Sequence, residues 1–233
     1  MKKISFLLFF LCFVSIGIAQ QTEERNLSDF NNLYVTGAFD IYLKKGTQNN
    51  LKIETKGDLE LSEIEVQVKG QTLEIRNKRD KYNWNDRHGR NDKAVIYITY
   101  KELRKLDMSG AGNIYTDNPI ETQDFTFRMS GAGNFKAEVK AKTLDIDFSG
   151  AGNMEISGTV DEQTVELSGA GNYRAFDLQS KHANIRLSGA GNMQVFVSET
   201  LEANNGGVGS IKYRGNPRKV TADHSFLGSV KPD

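Results

Sequence analysis

Cysteine is nearly absent: the 233-residue chain has one, Cys12, and only three prolines. With no second cysteine no intrachain disulfide can form, so stability must come from packing and backbone pairing. Few prolines with 22 glycines are unlike a disordered or collagen-like composition and suit many tight turns. No charge of one sign is in excess, with 30 basic against 30 acidic residues, which removes the usual basis for binding nucleic acid or anionic lipid. Beyond residue 19 no apolar run is long enough to cross a bilayer as a helix. No segment carries a helical apolar stripe longer than a turn or two.

What is present begins with Lys2 and Lys3 ahead of an apolar stretch, Ile4 to Ile18, followed by Ala19. A positive start, a short apolar run and small residues at Gly17 and Ala19 predict a secretory signal peptide over 1–19, cut before Gln20. Cys12 lies inside that run behind Leu11, where a lipid-modified cysteine would want a small neighbour. Removing Lys2 and Lys3 leaves 28 basic residues against 30 acidic, a mature chain close to neutral. The expected location is outside the cytoplasm: periplasm, outer-membrane surface or medium. Residues 20–29 read as a flexible mature N-terminus and 30–233 as one domain.

An internal repeat dominates that domain. The pentapeptide SGAGN starts at Ser109, Ser130, Ser149, Ser168 and Ser188, in steps of 21, 19, 19 and 20. Just before each serine stands Met108, Met129, Phe148, Leu167 or Leu187, and two residues earlier Leu106, Phe127, Ile146, Val165 or Ile185. Asp107, Arg128, Asp147, Glu166 and Arg186 separate these pairs, an alternation that predicts half-buried strands. After each asparagine the chain is apolar again: Ile114, Phe135, Met154, Tyr173, Met193. Degenerate copies follow at Gly206–Ile211 and Ser225–Val230, and one precedes at Thr36–Leu43, where Asp40 replaces the asparagine. A 20-residue unit without a helix predicts an all-β fold, a right-handed parallel β-helix with about 20 residues per coil.

In that fold SGAGN is a corner. Neighbouring coils lie ~4.8 Å apart, so the corner positions need residues that fit under the next coil and accept positive φ. Those are Gly110, Gly112 and Asn113, then Gly131, Gly133 and Asn134, then Gly150, Gly152 and Asn153, then Gly169, Gly171 and Asn172, then Gly189, Gly191 and Asn192. The asparagines can bond local backbone and one another in a ladder of stacked amides. A phosphate cradle would need a lysine or a helix start after the glycines, and calcium-binding turns need a nine-residue acidic unit, so neither a cofactor nor a metal is expected.

Residues 79–92, RDKYNWNDRHGRND, break the alternation and hold the only tryptophan, which predicts an exposed insertion. Its Tyr82, Trp84, Arg87 and His88 are candidate contacts for a sugar ring or a protein surface. Catalysis on polysaccharide would need converging carboxylates, and Asp145 with Asp147 on one strand, near Arg128 and Arg186, are the candidates. Regular alternation makes such outward charges a solvated face instead, so no catalytic residue is assigned. His88, His182 and His224 share no metal-ligand spacing. Partners expected are a glycan or a protein at the cell surface, with self-association through solenoid ends or faces as a further route to an envelope role.

The stretches VTGAFDIYLKKG near the start and AVIYITYKELRKLDMSGAGN in the middle, with the SGAGN array after them, resemble the bacterial "putative auto-transporter adhesin, head GIN domain" family over nearly the whole mature chain. The resemblance implies an exported β-solenoid found largely in Bacteroidetes-type bacteria, an adhesive role by analogy, and no catalytic residues to carry over. A membrane-embedded translocator barrel of many strands is not expected within these 233 residues, so the auto-transporter part of that name is not expected to apply. The signal peptide leads us to expect export through the inner membrane, and arrival at the cell surface does not follow from it.

Overall fold

The computed structural model describes residues 21–57, 59–78 and 93–233. The expected signal peptide, 1–19, and the expected insertion, 79–92, lie outside the described residues. Parallel coils of about 19 residues stack into a β-solenoid of about seven turns. In chain order the strands are β1 (Gln21–Asn26), β2 (Asn32–Lys45), β3 (Asn50–Lys56), β4 (Ile64–Lys69), β5 (Thr72–Asn77) and β6 (Lys93–Tyr100). Then come β7 (Lys105–Ala111), β8 (Ile114–Thr116), β9 (Ile120–Glu121), β10 (Asp124–Phe148), β11 (Ala151–Leu167), β12 (Ala170–Leu187) and β13 (Ala190–Asn205). The last are β14 (Val208–Arg214), β15 (Lys219–His224) and β16 (Gly228–Pro232), and a single 3-10 turn spans Leu61–Glu63.

The alternation becomes columns. Leu106, Phe127, Ile146, Val165 and Ile185 are buried, as are Met108, Met129, Phe148, Leu167 and Leu187 and the third set from Ile114 to Met193. They belong to one continuous apolar core running from Phe30 to Ile211. Parallel pairing sets Gly131 on Gly110, Gly152 on Gly133, Gly171 on Gly152 and Gly191 on Gly171. The degenerate copies keep register: Gly37 pairs with Gly110, Gly209 with Gly191 and Gly228 with Gly209.

The corner reading needs one correction. Positive φ occurs at Gly110, Gly112, Gly131, Gly133 and Gly152, but Gly150, Gly169, Gly171, Gly189 and Gly191 are not among the positive-φ residues. What holds at every corner is close approach: a Cβ at any of these glycines of the second and later copies would overlap the carbonyl oxygen of a corner glycine one coil away. Nor do the ladder asparagines use the left-handed region; among the described residues the only non-glycine there is Asn216, φ 51°.

The amide ladder is present and directional. Asn134 Nδ2 donates to Asn113 Oδ1 at 2.8 Å, Asn153 to Asn134 at 3.1 Å, Asn172 to Asn153 at 2.8 Å and Asn192 to Asn172 at 3.2 Å. Asp40, a pure acceptor, begins it by taking Asn113 Nδ2 at 2.9 Å, and the Ser210 hydroxyl ends it by donating to Asn192 Oδ1 at 2.8 Å. The direction gives an asymmetric expectation. Asn153→Asp sets two acceptors face to face and should cost about 1 kcal/mol at this half-exposed site, whereas Asp40→Asn keeps its acceptor and should be near neutral. Urea midpoints with unchanged slopes would check both.

Two features depart from the repeat. Between Gly37 and its partner Gly110 the chain makes an excursion in which β3 runs antiparallel to β6 and β4 antiparallel to β5, and β1, which precedes it in sequence, runs antiparallel to β3. These strands seal the N-terminal end over Leu51, Ile53, Ile64 and Leu73, all buried. Gln21–Asn26, expected within a flexible tail, is β1 of that seal. The second departure is polar and inside. Tyr173 donates to Gln163 Oε1 at 3.1 Å, Gln163 Nε2 to Ser180 Oγ at 2.8 Å, and Ser180 to the Phe196 carbonyl at 2.6 Å. Gln163 pairs in register with Leu144 and Ala183, so it fills an apolar column position yet leaves no group of the network unpaired.

Candidate functional site

Tyr82, Trp84, Arg87 and His88 lie outside the described residues. The strands on either side of them are placed: β5 pairs with β2 up to Arg76 opposite Thr36, and β6 resumes the pairing with Ala94 opposite Phe39. These two pairs stand on either side of Gly37 and Ala38, the level at which the other coils have their glycine corner.

Beside that level, on the flank preceding the corners, outward residues line up across coils. Tyr34 is in register with Glu74 on one side and Asp107 on the other, and Asp107 is in register with Arg128. Two shallow hollows open here and share Tyr34 and Asp107. One, about 280 Å³, is lined by Thr72, Glu74, Arg76 and Lys105 as well; the other, about 320 Å³, by Ser109, Arg128, Ser130, Asp147 and Ser149. Together they cross five neighbouring levels of the stack: β5, β2, β7, the start of β10 at Arg128, and the following coil at Asp147 and Ser149.

The charges are arranged rather than scattered. The Arg76 guanidinium lies 5.5 Å from the Tyr34 ring centroid and its Nη2 is 2.9 Å from Glu74 Oε2. Lys105 Nζ is 2.8 Å from Asp107 Oδ2. Three buried atoms between these groups, Asp107 Oδ1, Arg76 Nε and Thr36 Oγ1, have no hydrogen-bond partner among the described residues.

Of the carboxylates weighed for catalysis, Asp147 lines the second hollow with Arg128. Asp145 does not, and Arg186 is two coils beyond Asp147, in register with Glu166, which is itself opposite Asp147. His182 faces Glu199 with Nε2 3.8 Å from its carboxylate, while His224 stands on β15 beside the Ser225 carbonyl, so the two histidines do not meet.

Sequence reasoning did not reach a second feature, on the flank following the corners. Tyr42 stacks between Tyr97, with ring centroids 5.3 Å apart, and Tyr115, at 5.2 Å. Lys52 Nζ stands 5.7 Å from the Tyr97 centroid, and burial together with Glu54 pushes the Tyr97 hydroxyl above its ordinary pKa. These rings spend their faces on one another, so they stiffen the flank. Tyr42 and Tyr115 each follow a ladder residue by two positions, the one signal that could have found them.

Comparison with known proteins accords with this architecture. A family described as "putative auto-transporter adhesin, head GIN domain" matches residues 29–217. A crystal structure of a putative adhesin from Bacteroides fragilis is similar at TM-score 0.85 and 24% identity, covering 93% of this chain and 98% of that one. A putative lipid binding protein from Parabacteroides distasonis is similar at 0.68 and 23%, covering 92% and 96%. A putative adhesin from Parabacteroides merdae is similar at 0.64 and 18%, with the same coverage. No curated protein matches the chain.

Proposed function

The chain belongs to the putative auto-transporter adhesin, head GIN domain family, and from that premise we propose that it is an exported, non-enzymatic surface module that binds an extended, hydroxyl-rich polymer along the flank bearing Tyr34, Asp107 and Arg128. The observation that carries this is the pair of adjoining open hollows that share Tyr34 and Asp107 and add Arg76 on one side and Arg128 on the other. A hydroxyl can donate to the partly exposed Asp107 carboxylate, which both hollows share, and accept from the Arg76 guanidinium in the first or the Arg128 guanidinium in the second. An open trough across five levels of the stack suits successive units of a chain, whereas small molecules favour enclosed apolar pockets. Export rests on the Lys2, Lys3 and Ile4–Ile18 pattern. Tyr82, Trp84, Arg87 and His88 enter the same proposal as candidates from the sequence, which follows β5 with residues 79–92.

The test is binding of the chain from Gln20 onward to immobilised bacterial and host polysaccharides. Arg128→Ala with Tyr34→Ala should weaken binding at least tenfold, about 1.4 kcal/mol, with an unchanged melting curve. Trp84→Ala then reports on the 79–92 segment separately. Unaltered binding by the double variant overturns the assignment of this flank. Release of reducing ends that is lost in Asp147→Asn would instead make the second hollow an enzyme site.

A further inference from the structure

The two ends of the solenoid are finished differently. At the N-terminal end, antiparallel strands cover the core and the outermost, β1, presents Glu23 and Arg25 at its edge, the kind of charged edge that discourages further pairing. At the other end, β15 pairs with β13 only, and all six of its residues are exposed. Its register sets Val220 on Leu201 and Ala222 on Ala203, so both occupy column positions that are buried core one coil earlier. Val220 is nevertheless 40% exposed, and Phe226 and Leu227 beside it are exposed as well. Among the described residues nothing pairs with the outer edge of β15.

We propose that this end is a docking surface for a second copy of the chain, β15 pairing antiparallel with β15 of the copy across a two-fold axis at Thr221. The sequence of the strand, Lys219-Val-Thr-Ala-Asp-His224, is what selects the occupant. Pairing centred on Thr221 puts Lys219 opposite Asp223 of the copy, twice, on the outward face. It puts Val220 opposite Ala222, twice, on the core face, and Thr221 opposite itself. Centring one residue later would face Thr221 with Asp223 and Val220 with His224, losing both the charge match and the apolar match. A shift of half a residue would set Val220 against Asp223 and mix the two faces, which strand pairing does not allow. The surface is therefore complementary to itself in charge, in apolar pattern and in free backbone groups, as an isologous interface requires. Two solenoids joined this way continue one core and carry their ligand-binding flanks on one elongated particle.

The experiment is sedimentation equilibrium of the chain from Gln20 onward, at concentrations up to about 100 μM, with charge-reversed variants. The unaltered chain should form dimers. Lys219→Asp and Asp223→Lys each turn two attractive cross-strand pairs into two like-charge contacts, and each should weaken self-association about tenfold or more. Both sites are exposed on β15, so the melting curve of each variant should stay that of the unaltered chain. Mixed in equal amounts, the two variants should pair with each other. The aspartate introduced into one chain then faces the lysine introduced into the other, and the remaining native Asp223 and Lys219 face each other as before. A chain that stays monomeric overturns the proposal, as do dimers indifferent to both reversals or a mixture that does not recover association.

Discussion

Gly152→Ala is expected to be the most damaging small substitution in the repeat, abolishing the fold or costing roughly 3 kcal/mol or more. The added methyl would overlap the Gly133 carbonyl oxygen, a backbone atom that cannot rotate away, and φ at Gly152 is +150°, where an L side chain is strained. The strain cannot be relieved locally, since Gly133 itself sits on Gly112 and Gly171 sits on Gly152. Gly70→Ala is the control: φ is +58° but nothing lies within 4 Å of its would-be Cβ, so only the conformational cost of about 1 kcal/mol applies. Chemical denaturation of the two variants separates crowding from conformation, and equal losses would refute the crowding account.

The second large effect belongs to Tyr173. Its ring is fully buried, and burial pushes its hydroxyl far above the ordinary pKa, so it serves the interior as a neutral donor. Tyr173→Ala should cost about 4 kcal/mol through the cavity left between coils. Tyr173→Phe should cost about 1–2 kcal/mol, because it keeps the ring and leaves Gln163 Oε1 without its donor. Tyr173→Phe combined with Gln163→Leu should recover part of that loss, since the column then becomes apolar like Leu144 before it. Non-additivity in that cycle measures the network directly. Additive losses would mean that Tyr173 and Gln163 act independently.

Period and columns were legible because they depend only on which residues face inward, and a repeat of 19 to 21 residues states that five times. The reason for glycine was only half legible. The sequence shows that a corner needs glycine, while the register shows that the preceding coil's carbonyl, more than φ, demands it. The antiparallel seal was not legible: β3, β4, β5 and β6 alternate as well as any repeat strand, and direction leaves no trace in alternation. Gln163 was hidden because a glutamine read alone is a surface residue, and its partners Tyr173 and Ser180 become neighbours only through stacking. The hollows were hidden for a similar reason. Tyr34 and Asp107 are 73 positions apart in sequence and adjacent in register. Asp147 and Arg128 were paired correctly from spacing, but Arg186 was not, because Glu166 occupies the coil between.

The amide ladder carries a consequence beyond cohesion. Every side-chain amide from Asn113 to Asn192 donates toward Asp40 and accepts from the side of Ser210, so their dipoles add head to tail. The row has its positive pole at the sealed end, where the Asp40 carboxylate meets it, and its negative pole near the open end, as aligned peptide groups do in a helix. A nearly neutral protein therefore has a built-in electrical direction along its length, and a charged chain laid along the flank would meet different fields at its two ends.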